Sequence, residues 1–265
     1  MAELDDWTCE YNGLVMGSPD SAISLAAVDG LLSLPDMRTA DLTLVQKHGL
    51  YPGDDYMNGR AVVLTLEVYG STREEFTEAL SAIYAAFAPA DRERPLRFLF
   101  PGVAGDRTAF VNVRPRKRTA PLDLNFAHMV CNVSVELFAT DPYAYGDALV
   151  SLSLASPFGG TDPKLRFRQA GSVAALPVIA LDNAKNIKLT DETTGQFFGL
   201  TYGGNATINS AAQTVTSSTG TNLNDKITAG STWPEYGYGD HRLSLTSEAT
   251  TRATVASLMW RNRWV

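Results

Sequence analysis

RAVVLTLEVYGSTREEFTEALSAIYAAFAP, residues 60–89, decides the fold class. Its opening residues alternate, so Val62, Leu64, Leu66 and Val68 share one face of a strand. The period then lengthens to that of a helix: Phe76, Leu80, Ile83, Tyr84 and Phe87 recur at helical spacing, opposite Arg73, Glu74, Glu75 and Glu78. Ser71 with Glu74 three residues on makes a capping box, and Pro89 closes the segment, which predicts a helix over 71–88. A half-buried strand followed by one amphipathic helix describes a helix packed on a sheet.

Strand signals dominate on either side. EYNGLVMG alternates around Asn12-Gly13, a short hairpin signal, and AISLAAVDGL reads as a further strand. RPLRFLFPG, TAFVNVRPRKR and FAHMVCNVSVELFATDPYAYG continue the series, with Met129, Cys131, Val133, Val135 and Leu137 alternating before an Asp141-Pro142 turn. After Gly146 the composition shifts, and SLSLASPFGGTDPK reads as a Ser/Gly/Pro-rich boundary. Beyond it come short strands at regular spacing with recurrent turn residues, a sandwich signature, and a closing hairpin ending in LMWRNRWV. The expected organisation is an α+β domain over 1–148 and an all-β domain over 149–265, a mainly β fold.

Composition narrows the function. Apolar residues make up 45% and charged residues 19% of 265, ordinary for a globular chain. No apolar run approaches the ~20 residues that cross a bilayer, and the acidic start MAELDDWTCEY lacks a signal-peptide pattern, so folding in a cytoplasm and no membrane contact are expected. Cys9 and Cys131 lack CxxC spacing, and His48, His128 and His241 are scattered, so neither a disulfide framework nor a zinc site is expected. Residues 1–150 carry 12 Lys/Arg against 21 Asp/Glu, a net of −9, and residues 151–265 carry 10 against 8, a net of +2. An acidic first half disfavours tight nucleic-acid binding and suits a surface that DNA passes without sticking.

The densest chemical cluster is HGLYPGDDYMNGR, residues 48–60. Asp54 and Asp55 are adjacent, so their side chains diverge in extended chain and make a poor acid–base pair. Pro52-Gly53 and Asn58-Gly59 are turn dipeptides, and the segment 35–59 is polar and turn-rich with no long periodic element. A loop explains these residues better than a catalytic or metal site. RPRKR (114–118) has no interleaved aromatics for nucleic acid and reads as a solvated or interface turn. There is no GxSxG, GxGxxG or P-loop, so no enzyme and no cofactor are expected. In the second domain Trp233, Tyr236, Tyr238, Trp260 and Trp264 are either an aromatic platform for sugars or core and interface anchors.

Four stretches carry a resemblance: EYNGLVMG, RTADLTLVQKHGLYPGDDYMNGRAVVLTLEV (38–68), LFATDPYAYG (137–146) and ATVASLMWRNRWV. In order and spacing they resemble siphophage distal tail proteins, particularly those of phages infecting actinobacteria. The resemblance spans nearly the whole chain. It implies a tail-tube-like β-sandwich with one flanking helix, followed by a galectin-like sandwich. It implies a homohexameric ring in the virion that joins the tail tube protein to the baseplate hub, with the tape measure protein and DNA in its channel. Residues 36–60 become a belt wrapping the neighbouring subunit, through His48, Tyr51, Pro52, Gly53, Asp54, Asp55, Tyr56 and Arg60, with Asp54 and Asp55 as acids facing the lumen. Trp233, Trp260 and Trp264 become anchors of the second domain. The competing class is a carbohydrate-binding sandwich for host cell-wall sugars.

Overall fold

A computed structural model describes residues 3–159 and 162–265. The chain divides between Asp147 and Ala148 into two compact units, the last residue grouping with the first.

The first unit begins with β1 (Thr8–Tyr11) and β2 (Leu14–Met16), a hairpin closed by Asn12 and Gly13 at φ 51° and 85°. Two successive positive φ values are what a tight two-residue hairpin turn requires. Then come β3 (Ile23–Asp29), four two-residue strands, β4 (Met37–Arg38), β5 (Leu42–Thr43), β6 (Leu50–Tyr51) and β7 (Tyr56–Met57), and the long β8 (Arg60–Tyr69). Helix α1 (Arg73–Ala86) leads to β9 (Arg94–Leu99), β10 (Ala109–Thr119), the single turn α2 (Leu124–Ala127), β11 (Val130–Ala139) and β12 (Ala144–Gly146).

Strand order runs β2-β1-β9-β10-β11-β8-β3, with every neighbouring pair antiparallel. β10 serves two sheets: Ala109–Val113 pair with β9, whereas Arg114–Thr119 pair with β11. The register shifts between Pro115 and Lys117, where proline has no N–H to give a ladder. As the alternation requires, Val62, Leu64, Leu66 and Val68 are all fully buried, with Val133 and Val135 beside Leu66 and Leu64 on the neighbouring β11, and Phe76, Leu80 and Ile83 of α1 are buried too. Cys9 on β1 and Cys131 on β11 are buried free thiols, and burial pushes the Cys9 thiol up to about 12.

Three local expectations shift. The helix is capped one residue later than predicted: Thr72 accepts from the Glu75 N–H at 3.2 Å, and the Glu75 carboxylate reaches back to the Ser71 N–H at 2.9 Å. Those Ser71 contacts hold the Glu75 carboxyl below its usual range. Thr72→Ala is expected to cost ~1 kcal/mol, a fall of ~3 °C in the first unit's melting temperature by calorimetry. Tyr84, counted with the apolar stripe, is instead exposed beneath Arg118, whose guanidinium lies 4.3 Å from the ring centroid. FAHM is not strand: Asp123 caps the turn α2 through the Asn125 N–H, and Met129 sits at φ 60° before β11 begins.

The second unit holds β13 (Val150–Ala155), β14 (Leu165–Gln169), β15 (Val178–Asp191), β16 (Phe197–Asn209), β17 (Thr214–Ser217), β18 (Gly239–Thr246) and β19 (Val255–Trp260). SLSLA is therefore strand rather than boundary, a period-two run paired with β19. β15 folds the sheet over: its first half pairs with β19 and its second half with β18, while β16 follows it throughout. The bend lies at two register shifts holding Asn183 and Asn186 at φ 54° and 45°, the left-handed region that asparagine tolerates. β18 and β19 thus flank β15 instead of forming the predicted closing hairpin.

Ile179, Leu181, Leu189, Phe198, Leu245 and Leu258 fill the space between the layers. At one end Phe167, Tyr236, His241 and Trp260 pack ring on ring, with centroids 5.1–5.5 Å apart. Inside this cluster His241 Nδ1 lies 2.7 Å from an Asp191 carboxylate oxygen and Nε2 lies 2.8 Å from the Gly237 carbonyl. Both ring nitrogens face oxygen partners.

Candidate functional site: a projecting hairpin arm

Between β3 and β8 the chain leaves the sheet and returns as an arm. β4 pairs with β7 and β5 with β6, so residues 36–58 form one interrupted hairpin whose tip is residues 44–49. Asn58 N–H donates to the Asp36 carbonyl at 2.8 Å at the root of the hairpin, and Gly53 N–H donates to the Asp41 carboxylate at 2.9 Å between the two short ladders. Gly53 is needed there, because a Cβ would lie 2.3 Å from the Ala40 carbonyl oxygen. At ~3.3 Å per residue, Asp36 to Leu44 reaches at most ~30 Å.

The arm's side chains set it apart. Leu32, Leu34, Leu42, Val45, Leu50 and Tyr51 are exposed, Val45 at 94% and Leu32 at 78%. A solvated loop has no use for so dense an apolar series, whereas an interface awaiting its partner does.

Arg60 ties the root of the arm together. Its side chain is buried at 2% exposure. Nη1 donates to the carbonyls of Gly30, Leu31 and Ser33 at 2.6, 2.9 and 3.0 Å, and Nε donates to the Pro142 carbonyl at 2.7 Å. Burial lowers the guanidinium pKa, but four carbonyl dipoles stand around the cation. Gly30 at φ 86° makes the exit turn, where a Cβ would fall 2.0 Å from the Ala61 carbonyl. Gly59 lies against Phe138 and Ala139, with no room for a side chain. NGR and ATDPY, far apart in sequence, thus meet at a single joint.

The predicted arm residues divide accordingly. His48, Tyr51, Pro52, Gly53, Asp54, Asp55 and Tyr56 are all exposed on the arm. Arg60 is not a contact on that exposed face but the buried clamp behind it. Asp54 and Asp55 lie on the stretch between β6 and β7.

In the second unit the five aromatics do not make a platform. Tyr236 and Trp260 are buried in the core, Trp233 is half-buried on Phe198 with centroids 5.2 Å apart, and Trp264 is half-buried. Tyr238 is exposed, but Arg168 covers its ring at 5.3 Å and donates to its hydroxyl at 3.1 Å. Sequence reasoning missed the Asp191–His241 pair, whose members lie 50 residues apart. It missed Arg97 too, which bridges Glu10 at 2.6 Å and Asp147 at 2.8 Å. Among the described residues no group of three or more His, Cys, Asp or Glu is placed to hold a metal ion, and no helix is long and apolar enough to cross a membrane.

No protein-family model and no curated protein matches the sequence. Solved structures do match. The Dit (gp 19.1) protein of phage SPP1, described as a paradigm of the hub adsorption apparatus in phages infecting Gram-positive bacteria, aligns over 96% of this chain and 98% of its own at 15% identity and a TM-score of 0.65. Structures of the phage P2 baseplate in its activated conformation, with Ca and with Sr, align at 9% identity and TM-scores of 0.45 and 0.47. They cover 95% and 96% of this chain and 94% and 97% of theirs. The chain shares the mainly β fold of the SPP1 protein along nearly its whole length.

Proposed function

We propose that this chain is a structural protein of a phage tail, a distal tail protein that closes into a ring of six at the end of the tail tube. The ring joins the tube to the baseplate hub and leaves a channel through which DNA and the tape measure protein pass. The role is mechanical, with no chemistry asked of any side chain. The observation that carries it is the arm: a hairpin with an apolar exposed surface, held at its root by a buried arginine, is a tie to a neighbour. Likeness to the SPP1 protein supports the context. Each copy gives one arm and receives one, a heterologous contact that closes when the rotation between copies closes. The net charge of −9 over residues 1–150 gives a ring that repels phosphate.

Replacing residues 39–55 with a short Gly/Ser turn tests this. Mass measurements over a concentration series, with negative-stain images, are expected to show six-fold rings for the intact chain and monomers of unchanged circular dichroism for the variant. Rings that persist without the arm overturn its role. A specific glycan pull-down by a chain that stays monomeric, alone and with hub protein, favours the sugar-binding class instead.

A further inference from the structure

The basic run at the end of β10 has no part in the arm of its own chain, and its position in the sheet gives it a partner. Register places Lys117 opposite Glu136, Glu136 opposite Val63, and Val63 opposite Asp29, so the four form one row from β10 through β11 and β8 to β3. The arm leaves the chain at Gly30, the residue after Asp29. Arm and basic run therefore lie at the same level on opposite edges of one sheet, about three strand spacings or ~14 Å apart.

The β10 edge is available. Among the described residues, Lys117–Thr119 pair with β11 on one side, Arg116 being the bulge residue, and with no strand on the other, since β9 reaches only Val113. Arg116, Lys117 and Arg118 are exposed, and just beyond them Leu122 and Leu124 are 81% and 78% exposed. Cations beside exposed leucines complement the arm, whose residues 31–59 carry four aspartates against one arginine and one lysine among apolar side chains.

We propose that the β10 edge, Arg116–Arg118 with Leu122 and Leu124, is the seat that receives the arm of a second copy of this chain. Asp54 and Asp55 of the incoming arm meet the cations and its apolar side chains cover the leucines. This rests on the arm being a subunit tie and specifies what it ties to. A second copy set beside the β3 edge in the same orientation, as a ring requires, brings its β10 edge to the level where the arm emerges. Lys117 holds Glu136 at 3.4 Å with both side chains about half exposed, a pair that an incoming carboxylate displaces at little cost. The seat also assigns Asp54 and Asp55 to a subunit contact in place of a channel wall. The competing account of cations on an open strand edge is protection against edge-to-edge aggregation.

The test is a charge exchange with the assembly read by mass. R116E/K117E is expected to weaken ring formation ~10- to 100-fold at low salt, and adding D54K/D55K to the same chain to restore it. L122S/L124S, at two outward-facing positions, is expected to weaken it independently of salt. The seat is overturned when R116E/K117E and L122S/L124S both assemble like the parent, or when R116E/K117E precipitates while its soluble fraction still forms rings. Such results beside a monomeric arm-deleted chain leave the arm as a tie and refute only its seat. Rings from the arm-deleted chain refute the tie itself, as does a parent chain that is monomeric at every concentration.

Discussion

Arg60→Met is expected to destabilise the first unit by ~3 kcal/mol and to unfasten the arm. From its buried position the side chain bonds four backbone carbonyls at the arm root, those of Gly30, Leu31, Ser33 and Pro142. A buried acceptor left unpaired costs ~1–3 kcal/mol, and methionine fills the volume without supplying a donor. Relief from burying a cation offsets part of this, which keeps the sum well below four full penalties. Arg60→Lys is expected to fall between, because a single ammonium cannot copy a fork whose Nε and Nη1 serve carbonyls on separate segments. Two readouts separate stability from fastening: urea unfolding followed in the first unit, and amide exchange over residues 31–59. A melting temperature within ~2 °C of the parent, with unchanged exchange at the arm root, would refute the clamp.

Of comparable size is the loss expected on replacing His241 with phenylalanine. Asp191 and His241 have side chains only 8% and 5% exposed, and the ring sits among Phe167, Tyr236 and Trp260. Phenylalanine keeps the ring packing and removes both ring nitrogens that hold Asp191 and the Gly237 carbonyl. Asp191 is then a buried carboxylate that keeps the bond from the Thr193 N–H at 2.9 Å and has lost its partner at the other oxygen. Breaking a buried pair by removing one partner costs ~3–5 kcal/mol, so the second unit should melt ~10 °C earlier by calorimetry. H241F/D191N is expected to recover more than half of the loss, since an amide carries no charge to strand. A single variant within 1 kcal/mol of the parent by that measurement would sink this account.

How far the sequence announced these features depends on how local their cause is. The alternation of β8, the Asn12-Gly13 turn and the apolar stripe of α1 act over a few residues, and each appears where predicted, Tyr84 apart. The cap moved because Ser71 and Thr72 precede Glu74 and Glu75, so two adjacent capping boxes are written and packing selects one. SLSLA was misplaced because serine signals loops while its alternation signals a strand, and pairing with β19 decides for the strand. RPRKR, read both within the TAFVNVRPRKR strand and as a turn at its end, belongs to the strand, because β11 supplies the ladder on which a bulge absorbs Pro115. Pairings such as β18 and β19 on opposite halves of β15 are non-local and leave no mark in either strand.

For the arm, turn dipeptides and the lack of a long period marked a segment outside the sheet. Its hairpin pairing and exposure needed coordinates. Arg60 looked like one more surface cation because the carbonyls it serves belong to residues 30–33 and 142, and only folding gathers them. The aromatics of the second unit differ in burial, Trp260 being core and Tyr238 surface, and only folding decides which.

The two cysteines bear on how the molecule can be watched. Cys9 lies in one sheet of the first unit and Cys131 in the other, both sealed from solvent and neither oxidised to the other. A thiolate is the reactive species, so a maleimide dye leaves the native chain unlabelled until that unit opens. The parent protein thus carries its own clock for opening of the first unit. A single cysteine engineered at the arm's tip would be the one bright position on an otherwise dark chain.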